Sequence, residues 1–384
     1  MRLHLLGIPH TVTDAAWSHC AFTQKVRRFA PMMRPYGWQV IHYGIAGSVT
    51  GATEDVVLMD QDEHTNLLGH PYQHHQLYGA DALDGSALYR QFNLYARGEL
   101  EDRVEPGDLI LLPFGHAHAA AIRGLPVLAQ GAGAIESGIG YYETLLPWRI
   151  WESYAARHAS MGREGRHGVS MESTRLEFTV PNYYDVDEWP IQLGDRSDAP
   201  VVFMGRLTEG KGIATVLEVA ARRPDVRFQI IGQGDASAWT IPENVEILGS
   251  MGPERAALLG QARAIIAPSR YIEPFCGSVV EAQLCGTPAI TSDFGAFAET
   301  VEHGITGFHC QTVNQFTAAV DRVLGLDRDQ IARRARKLYA MERVGRLYDD
   351  AFEVVRQRLA DGALPLGWEL DGRSCTLSRW RHIT

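Results

Sequence analysis

The sequence predicts an α/β protein built from two doubly wound, Rossmann-like domains of parallel strands that face a cleft. Three observations lead there. Short apolar runs ending in Gly-, Pro- or Ser-rich turns alternate with amphipathic segments twice over, the pattern of parallel sheets covered by helices. The alternation breaks at Pro181-Asn182 and restarts at Val201. And 384 residues are enough for two domains with separate cores.

In the first half, Leu3 to Ile8 reads as a buried strand followed by a loop with His10 and Thr11. A helix is expected from about Ser18 to Met33, because Phe22, Val26, Phe29 and Met33 recur at helical spacing. Trp38 to Tyr43 and Val56 to Met59 are further strands, Gly69 to Gly79 a loop, and Gly85 to Leu100 a helix. Glu105-Pro106-Gly107-Asp108 turns the chain into strand Leu109 to Leu112, which ends at the FGHAH stretch carrying His116 and His118. Pro126 to Ala129 is expected as a strand, Gly131 to Gly140 as a Gly-rich loop, Tyr142 to His158 as a helix and Leu176 to Val180 as a strand. The polar, turn-rich segment Trp189 to Pro200 is expected to be the interdomain linker.

The second half repeats the scheme. Strands are expected at Val201 to Met204, Phe228 to Ile231, Val245 to Leu248, Ala264 to Ala267 and Ala289 to Thr291, with a helix at Ile213 to Ala221. A last amphipathic helix presents Met341, Val344, Tyr348, Phe352 and Val355 on one face.

Composition narrows the function classes. With 45% hydrophobic and 21% charged residues the chain is globular in type, and a net charge of -10 argues against a general nucleic-acid binder. Cys20, Cys276, Cys285, Cys310 and Cys375 are odd in number and form no CxxC pair, which points to a reducing, cytoplasmic setting without a disulfide framework or zinc site. No apolar run approaches the length of a membrane span, and the N-terminus lacks a signal-peptide core. His64, His70, His74 and His75 are not assigned to a metal, because Gly69, Pro71 and Gly79 interrupt any helix that would align them. Lys25, Arg27, Arg28 and Arg34 stand in a stretch, Ala15 to Thr53, that has no acidic residue. This leaves two readings: ordinary basic exposure on a core helix, or a weak peripheral contact with an anionic membrane or acceptor.

Candidate chemistry concentrates between Pro268 and Glu299. A buried strand ends at Pro268-Ser269, a loop carries Glu273, and Gly277-Ser278 opens a helix that holds Glu281 and stops at Cys285-Gly286-Thr287-Pro288. Free N–H groups at that helix start, around Cys276, Gly277 and Ser278, suit an anion at the carboxyl end of a strand. Glu273 and Glu281 are poor neighbours for a phosphate but good acceptors for sugar hydroxyls, so the combination suggests a sugar nucleotide. GRLTEGKG, Gly205 to Gly212, follows the first strand of the second half and can set Arg206 and Lys211 on one diphosphate, although a solvated turn would read the same way.

These residues resemble the donor-site signature of family 4 of the retaining glycosyltransferases. EPFCGSVVE, with its two glutamates, and EAQLCGTPAITSDFGAFAE carry the resemblance, and Cys276 stands where that family usually has Gly. The resemblance implies GT-B architecture: an acceptor-side domain over residues 1–181, completed by C-terminal helices of about 340–384, and a donor-binding domain over 182–339. It also implies transfer of a sugar from a nucleoside diphosphate to an acceptor hydroxyl with retention, needing no metal and no other cofactor. Arg206, Lys211, Cys276, Gly277 and Ser278 would take the diphosphate, Glu281 the ribose, and Glu273 the sugar. A cleft histidine near the reacting centre carries over onto His118, with His116 in reserve; the alternative is a histidine that merely caps the strand. Gly232 and Gly234 of IIGQGD, and Met251, are candidates for the base, or simple strand-ending turns. His10, Thr11 and Glu136 are candidates for the acceptor side, or structural loop residues. Rival classes are a sugar-nucleotide epimerase or hydrolase on a similar fold, and a sugar-nucleotide-binding protein without catalysis.

Overall fold

The computed structural model describes residues 2–17, 20–69, 85–166 and 175–362. His70, His74 and His75, most of the loop expected at 69–79, Cys375 and the stretch 363–384 lie outside the described residues.

Two wholly parallel sheets form the chain. The first runs β3-β2-β1-β4-β5-β6-β7, from β1 (Arg2–Leu6), β2 (Gln39–Ile45), β3 (Glu54–Met59), β4 (Leu109–Leu112), β5 (Gly133–Ile139), β6 (Trp148–Trp151) and β7 (Leu176–Thr179). The second runs β10-β9-β8-β11-β12-β13, from β8 (Val201–Met204), β9 (Phe228–Ile231), β10 (Val245–Gly249), β11 (Ala264–Ala267), β12 (Ala289–Ser292) and β13 (Gly307–Cys310). Central strands such as LILL in β4 and AIIA in β11 are buried along their whole length, as expected where helices cover both faces.

The helices used below are α1 (Ala21–Met33), α2 (Gln61–Leu68), α3 (Ala87–Arg103), α4 (Tyr154–Arg163), α5 (Ile213–Arg222), α6 (Arg255–Gln261), α7 (Gly277–Leu284), α8 (Val313–Arg322), α9 (Arg328–Tyr339) and α10 (Met341–Ala360). α1 buries Val26, Phe29 and Met33 from its expected face. α10 lies on α1, with Phe29 set edge-on to Tyr348 at 5.6 Å and Trp38 edge-on to Phe352 at 5.6 Å. The Trp38 indole N–H donates to Asp349 at 2.7 Å. The first core therefore contains Val344, Tyr348, Phe352 and Val355 from the far end of the sequence.

The chain crosses between the sheets twice at one place. Tyr184 donates its N–H to Tyr339 O at 2.9 Å and accepts from Met341 N–H at 3.1 Å, a parallel bridge to Ala340. The crossing is thus at 181–184. The expected linker, 189–200, instead packs on the second domain: Gln192 N–H reaches Cys285 O, and Arg328 donates to Gln192 O.

Three element assignments in the first half are corrected. Pro126–Ala129 is a helical turn, since Pro favours the first helical position and a four-residue apolar run does not separate helix from strand. The glycine-rich segment holds β5, a fully buried strand whose small residues fit between β4 and β6. The helix expected from Tyr142 begins only at Tyr154, after β6, where Ser153 Oγ caps by accepting Ala156 N–H. α2 and β13 were not anticipated.

Candidate functional site

In the second sheet the strand order reverses between β8 and β11. The loops leaving the carboxyl ends of these two strands must splay apart, and the crevice between them is where such sheets bind ligands. GRLTEGKG leaves β8 and the Glu273 loop leaves β11, so the two singled-out stretches meet. They line one side of a cleft of about 370 Å³. A second chamber of about 440 Å³ adjoins it and shares Gly140, Arg206, Lys211, Tyr271 and Pro274.

Arg206 lines both chambers, is exposed, and has no ion-pair partner among the described residues. Lys211 Nζ donates to Glu273 Oε1 at 2.7 Å and lies 5.3 Å from the centre of the Tyr271 ring. Burial alone would lower the Lys211 ammonium, but the Glu273 charge overrides it and the net shift is upward, so the amine is charged at neutral pH. Glu273 is only 2% exposed, and its Oε1 also accepts from Ser269 Oγ at 2.6 Å. Its Oε2 accepts nothing from the described residues and is not sealed from the cleft.

Cys276 is the N-cap of α7 at φ 66 and ψ 73, the one non-glycine with positive φ among the described residues. This left-handed turn swings the chain from the Glu273 loop into α7 with no side chain capping the helix. The first N–H groups of α7 are thus turned to the cleft, which Cys276, Gly277 and Ser278 all line. Burial, reinforced by the Glu273 charge, pushes the Cys276 thiol up to about 12. It is neutral at pH 7 and adds no negative charge to an anion cradle.

Glu281 also lines the cleft. Both its oxygens are gripped by Arg255, Nε to Oε2 at 3.0 Å and Nη2 to Oε1 at 3.1 Å. Arg255, at the start of α6, is itself buried and lies over the Trp189 ring at 5.3 Å. The sequence reading did not find it. Gly232 lines the cleft beside Met251 and Ser250, and a Cβ there would stand 1.8 Å from Gly205 O, so only glycine lets the β8 and β9 loops close up. Gly234 packs on Leu207 and is not part of the lining.

The opposite wall belongs to the first domain and includes Phe22, Lys25, Arg28, Gly140 and Glu152. Two contacts hold the domains across the site. Tyr142 Oη donates to Ile272 O, and Glu299 accepts the N–H groups of Tyr154 at 3.0 Å and Ala155 at 2.7 Å. α4 therefore has its first turn capped partly by its own Ser153 and partly by a carboxylate of the other domain.

The first-domain expectations fare differently. The histidine pair is reversed. Gly115–His118 is a 3-10 turn, so the side chains no longer alternate as on a strand; His116 lines the second chamber and His118 turns inward against Phe92. His118 is fully buried with neither ring nitrogen bonded, and burial lowers its pKa to about 3, so it is neutral and away from the cleft. Glu136 is inside β5 rather than on the acceptor side. It accepts from Tyr141 Oη at 2.7 Å and from the N–H groups of Leu145 and Leu146, and burial raises its pKa against the opposing charge of Arg149. His10 Nδ1 pairs with Tyr89 Oη at 2.8 Å and Thr11 Oγ1 with Thr23 Oγ1 at 2.6 Å; neither residue lines a chamber.

The basic stretch is largely spent inside the fold. Lys25 pairs with Glu152, Arg27 and Arg28 with Glu188, and exposed Arg34 donates to Gly51 O at 2.8 Å. Two carboxylates, Glu152 and Glu188, thus offset part of the positive charge of this stretch. No helix among the described residues is long and apolar enough to cross a membrane. Among the described residues no group of three or more His, Cys, Asp or Glu could hold a metal ion, and His64 Nε2 is bonded to Pro9 O at 3.0 Å.

The family model described as glycosyl transferases group 1 matches residues 185–341. The second domain is thus similar to the group 1 glycosyl transferases. Curated relatives match part of the chain. Glycogen synthase of Mycobacterium tuberculosis is 32% identical over 174 residues, 41% of this chain and 42% of that protein. The D-inositol 3-phosphate glycosyltransferase of Mycobacterium leprae is 30% identical over 148 residues, 35% of each chain. The aligned parts thus span less than half the length of these relatives. Solved structures extend the likeness to both domains. The sucrose-phosphate synthase of Thermosynechococcus elongatus superposes with a TM-score of 0.67 at 17% identity over 94% of this chain and 99% of that one. AviGT4, a glycosyltransferase involved in avilamycin A biosynthesis, gives 0.65 at 18% over 93% and 98%. Anabaena HepE, in complex with UDP-glucose, gives 0.60 at 14% over 92% and 100%. The architecture is that of the GT-B glycosyltransferases.

Proposed function

We propose that this chain transfers a sugar from a nucleoside-diphosphate sugar to an acceptor hydroxyl, with retention at the anomeric carbon and without a metal ion. One observation carries it: Arg206, Lys211, the open start of α7, Glu273 and Glu281 converge in one cleft at the switch point of the second sheet.

As the glycosidic bond to the diphosphate breaks, negative charge grows on the phosphate oxygens and the sugar becomes oxocarbenium-like. Arg206, with no competing carboxylate, can fork two of those oxygens. Lys211 supplies a point charge, and the α7 N–H groups a preformed dipole. These groups take the place of a metal counter-ion. Glu273 is held by Lys211 and Ser269 through one oxygen, which leaves the other for the sugar hydroxyls. Glu281 has lone pairs left beyond its Arg255 clamp for the ribose hydroxyls. The departing phosphate serves as base for the acceptor, which enters through the second chamber past His116 and Tyr142. That second chamber also favours a transferase over an epimerase, which has no acceptor to house. HepE in complex with UDP-glucose, a protein of the same fold, supports a nucleotide sugar as donor.

The test is calorimetric binding and slow hydrolysis across UDP-, GDP-, ADP- and dTDP-sugars with chelator present. At least one should bind and slowly release its diphosphate. Lys211→Ala and Glu281→Ala should each weaken that binding about tenfold or more, the scale of a lost charge-assisted hydrogen bond. Unchanged affinity in both variants would remove the donor-site assignment.

A further inference from the structure

The first-domain wall of the cleft holds an ion pair that the donor chemistry above does not use. Lys25, on α1, is buried; its Nζ donates to Gly138 O at 2.7 Å and to Glu152 Oε1, and lies 4.2 Å from the centre of the Phe22 ring. All three directions of the ammonium are therefore taken up by the protein. Glu152 stands just past the end of β6 and is 6% exposed. Its Oε1 is the oxygen bound to Lys25, whereas Oε2 accepts nothing from the described residues and is not sealed from solvent. Gly140 keeps this space open, because a Cβ there would stand 2.9 Å from both carboxylate oxygens. Lys25, Gly140 and Glu152 line the same cleft as Lys211 and Glu273.

The arrangement repeats the one opposite. Each wall has a lysine that fixes a nearly buried glutamate by one oxygen and leaves the other oxygen facing the cleft. A lysine–carboxylate pair in so dry a place is costly to maintain unless the carboxylate's free oxygen finds a donor. A sugar ring offers hydroxyl donors on opposite edges.

Resting on the donor-site reading above, we propose that Glu152, positioned by Lys25, is a further substrate-contacting residue that accepts a hydroxyl of the donor sugar from the first-domain side. The sugar is then held between two carboxylates, Glu273 and Glu152, one from each domain. Its recognition requires a hydroxyl-bearing sugar and both domains together, whereas the nucleotide requires the second domain alone. Lys25 touches no substrate in this scheme and acts only through Glu152.

The experiment compares each nucleoside diphosphate with its sugar-bearing form, using the pairs UDP and UDP-glucose, GDP and GDP-mannose, and ADP and ADP-glucose, by calorimetry on the full chain. In Glu152→Gln the amide oxygen can still accept from Lys25, so the amide nitrogen faces the cleft and the hydroxyl loses its charged acceptor. The affinity for the preferred nucleotide sugar should fall about tenfold while that for the bare diphosphate stays within twofold. If Glu152→Gln folds poorly, the paired replacement Lys25→Met with Glu152→Leu removes both charges at once and should give the same selective loss. Gly140→Ala, whose Cβ displaces the carboxylate, should do likewise. Equal loss for both forms would mean a structural role and overturn the proposal, as would no loss for either. A wild-type chain that binds bare diphosphates with no gain from any sugar would overturn it too. Absence of all nucleotide binding in the wild type would instead sink the donor-site reading itself.

Discussion

Cys276 invites a comparison in which the usual order of two residues reverses. In ordinary backbone, Ala is more favourable than Gly by roughly 0.5–1 kcal/mol, because Gly loses more conformational freedom on folding. Cys276 holds φ 66 and ψ 73, where a Cβ crowds the following carbonyl at a cost of about 1–2 kcal/mol. Cys276→Gly relieves that strain, but it adds the entropy loss and removes a thiol that meets Ser278 Oγ at 3.7 Å. These effects nearly cancel, so Cys276→Gly should melt within about 2 °C of wild type. Cys276→Ala keeps the strain and loses the sulfur contacts, so it should be about 1 kcal/mol less stable than Cys276→Gly, or 2–4 °C in Tm for a domain of this size. Cys276→Val adds a second γ branch in a region that β-branched residues avoid and should be the least stable. The assay is calorimetric melting of the three variants side by side. An alanine variant as stable as the glycine variant, or more so, would refute the left-handed turn at Cys276.

Two further perturbations address groups that act through others. Arg255→Met and Glu281→Gln should each weaken nucleotide binding, and the double variant should be no weaker than the worse single one, since Arg255 serves Glu281; additive losses would separate them. At the amino-terminal end of β1 and β4, Asp108 takes Arg2 Nη2 at 2.7 Å and His4 Nε2 at 3.2 Å. Burial pushes its carboxyl up, but these partners outweigh it and hold the pKa down to about 2. A carboxyl depressed on folding contributes stability that is complete above about pH 4 and fades as pH falls toward 2. The contribution here is about 2 kcal/mol. The Tm gap between wild type and Asp108→Asn should therefore shrink over that window, and a gap constant down to pH 2 would contradict it.

What could be read from the chain alone follows from how local each signal is. β8 and β11 were placed to the residue because each is an unbroken apolar run stopped by Gly or Pro, and the site loops follow directly from those ends. The tract from Pro126 to His158 was misassigned because its runs are four residues long and its strand, β5, is rich in small residues. Side-chain direction could not be read at FGHAH, because the chain leaves the strand there in a 3-10 turn. The partners of the site carboxylates were invisible for another reason. Arg255 stands 26 positions from Glu281, and Lys25 stands 127 from Glu152. No periodicity links such pairs; only the folded sheets do. Glu299 was quoted as part of a motif, yet its partner, the start of α4, could not be inferred.

The return of α10 to the first domain has a consequence for biosynthesis. A ribosome delivers residues 2–180 early, but the layer that Val344, Tyr348, Phe352 and Val355 contribute to their core does not yet exist. Loss of even one buried aromatic of this kind costs about 3–5 kcal/mol. The second domain, whose strands and α5 to α9 are contiguous, is the first unit to emerge with its core complete. The earlier-made half must wait, exposed along the face of α1, until α10 leaves the exit tunnel. Folding order is thus opposite to synthesis order, and the half that waits is the one in need of chaperone cover.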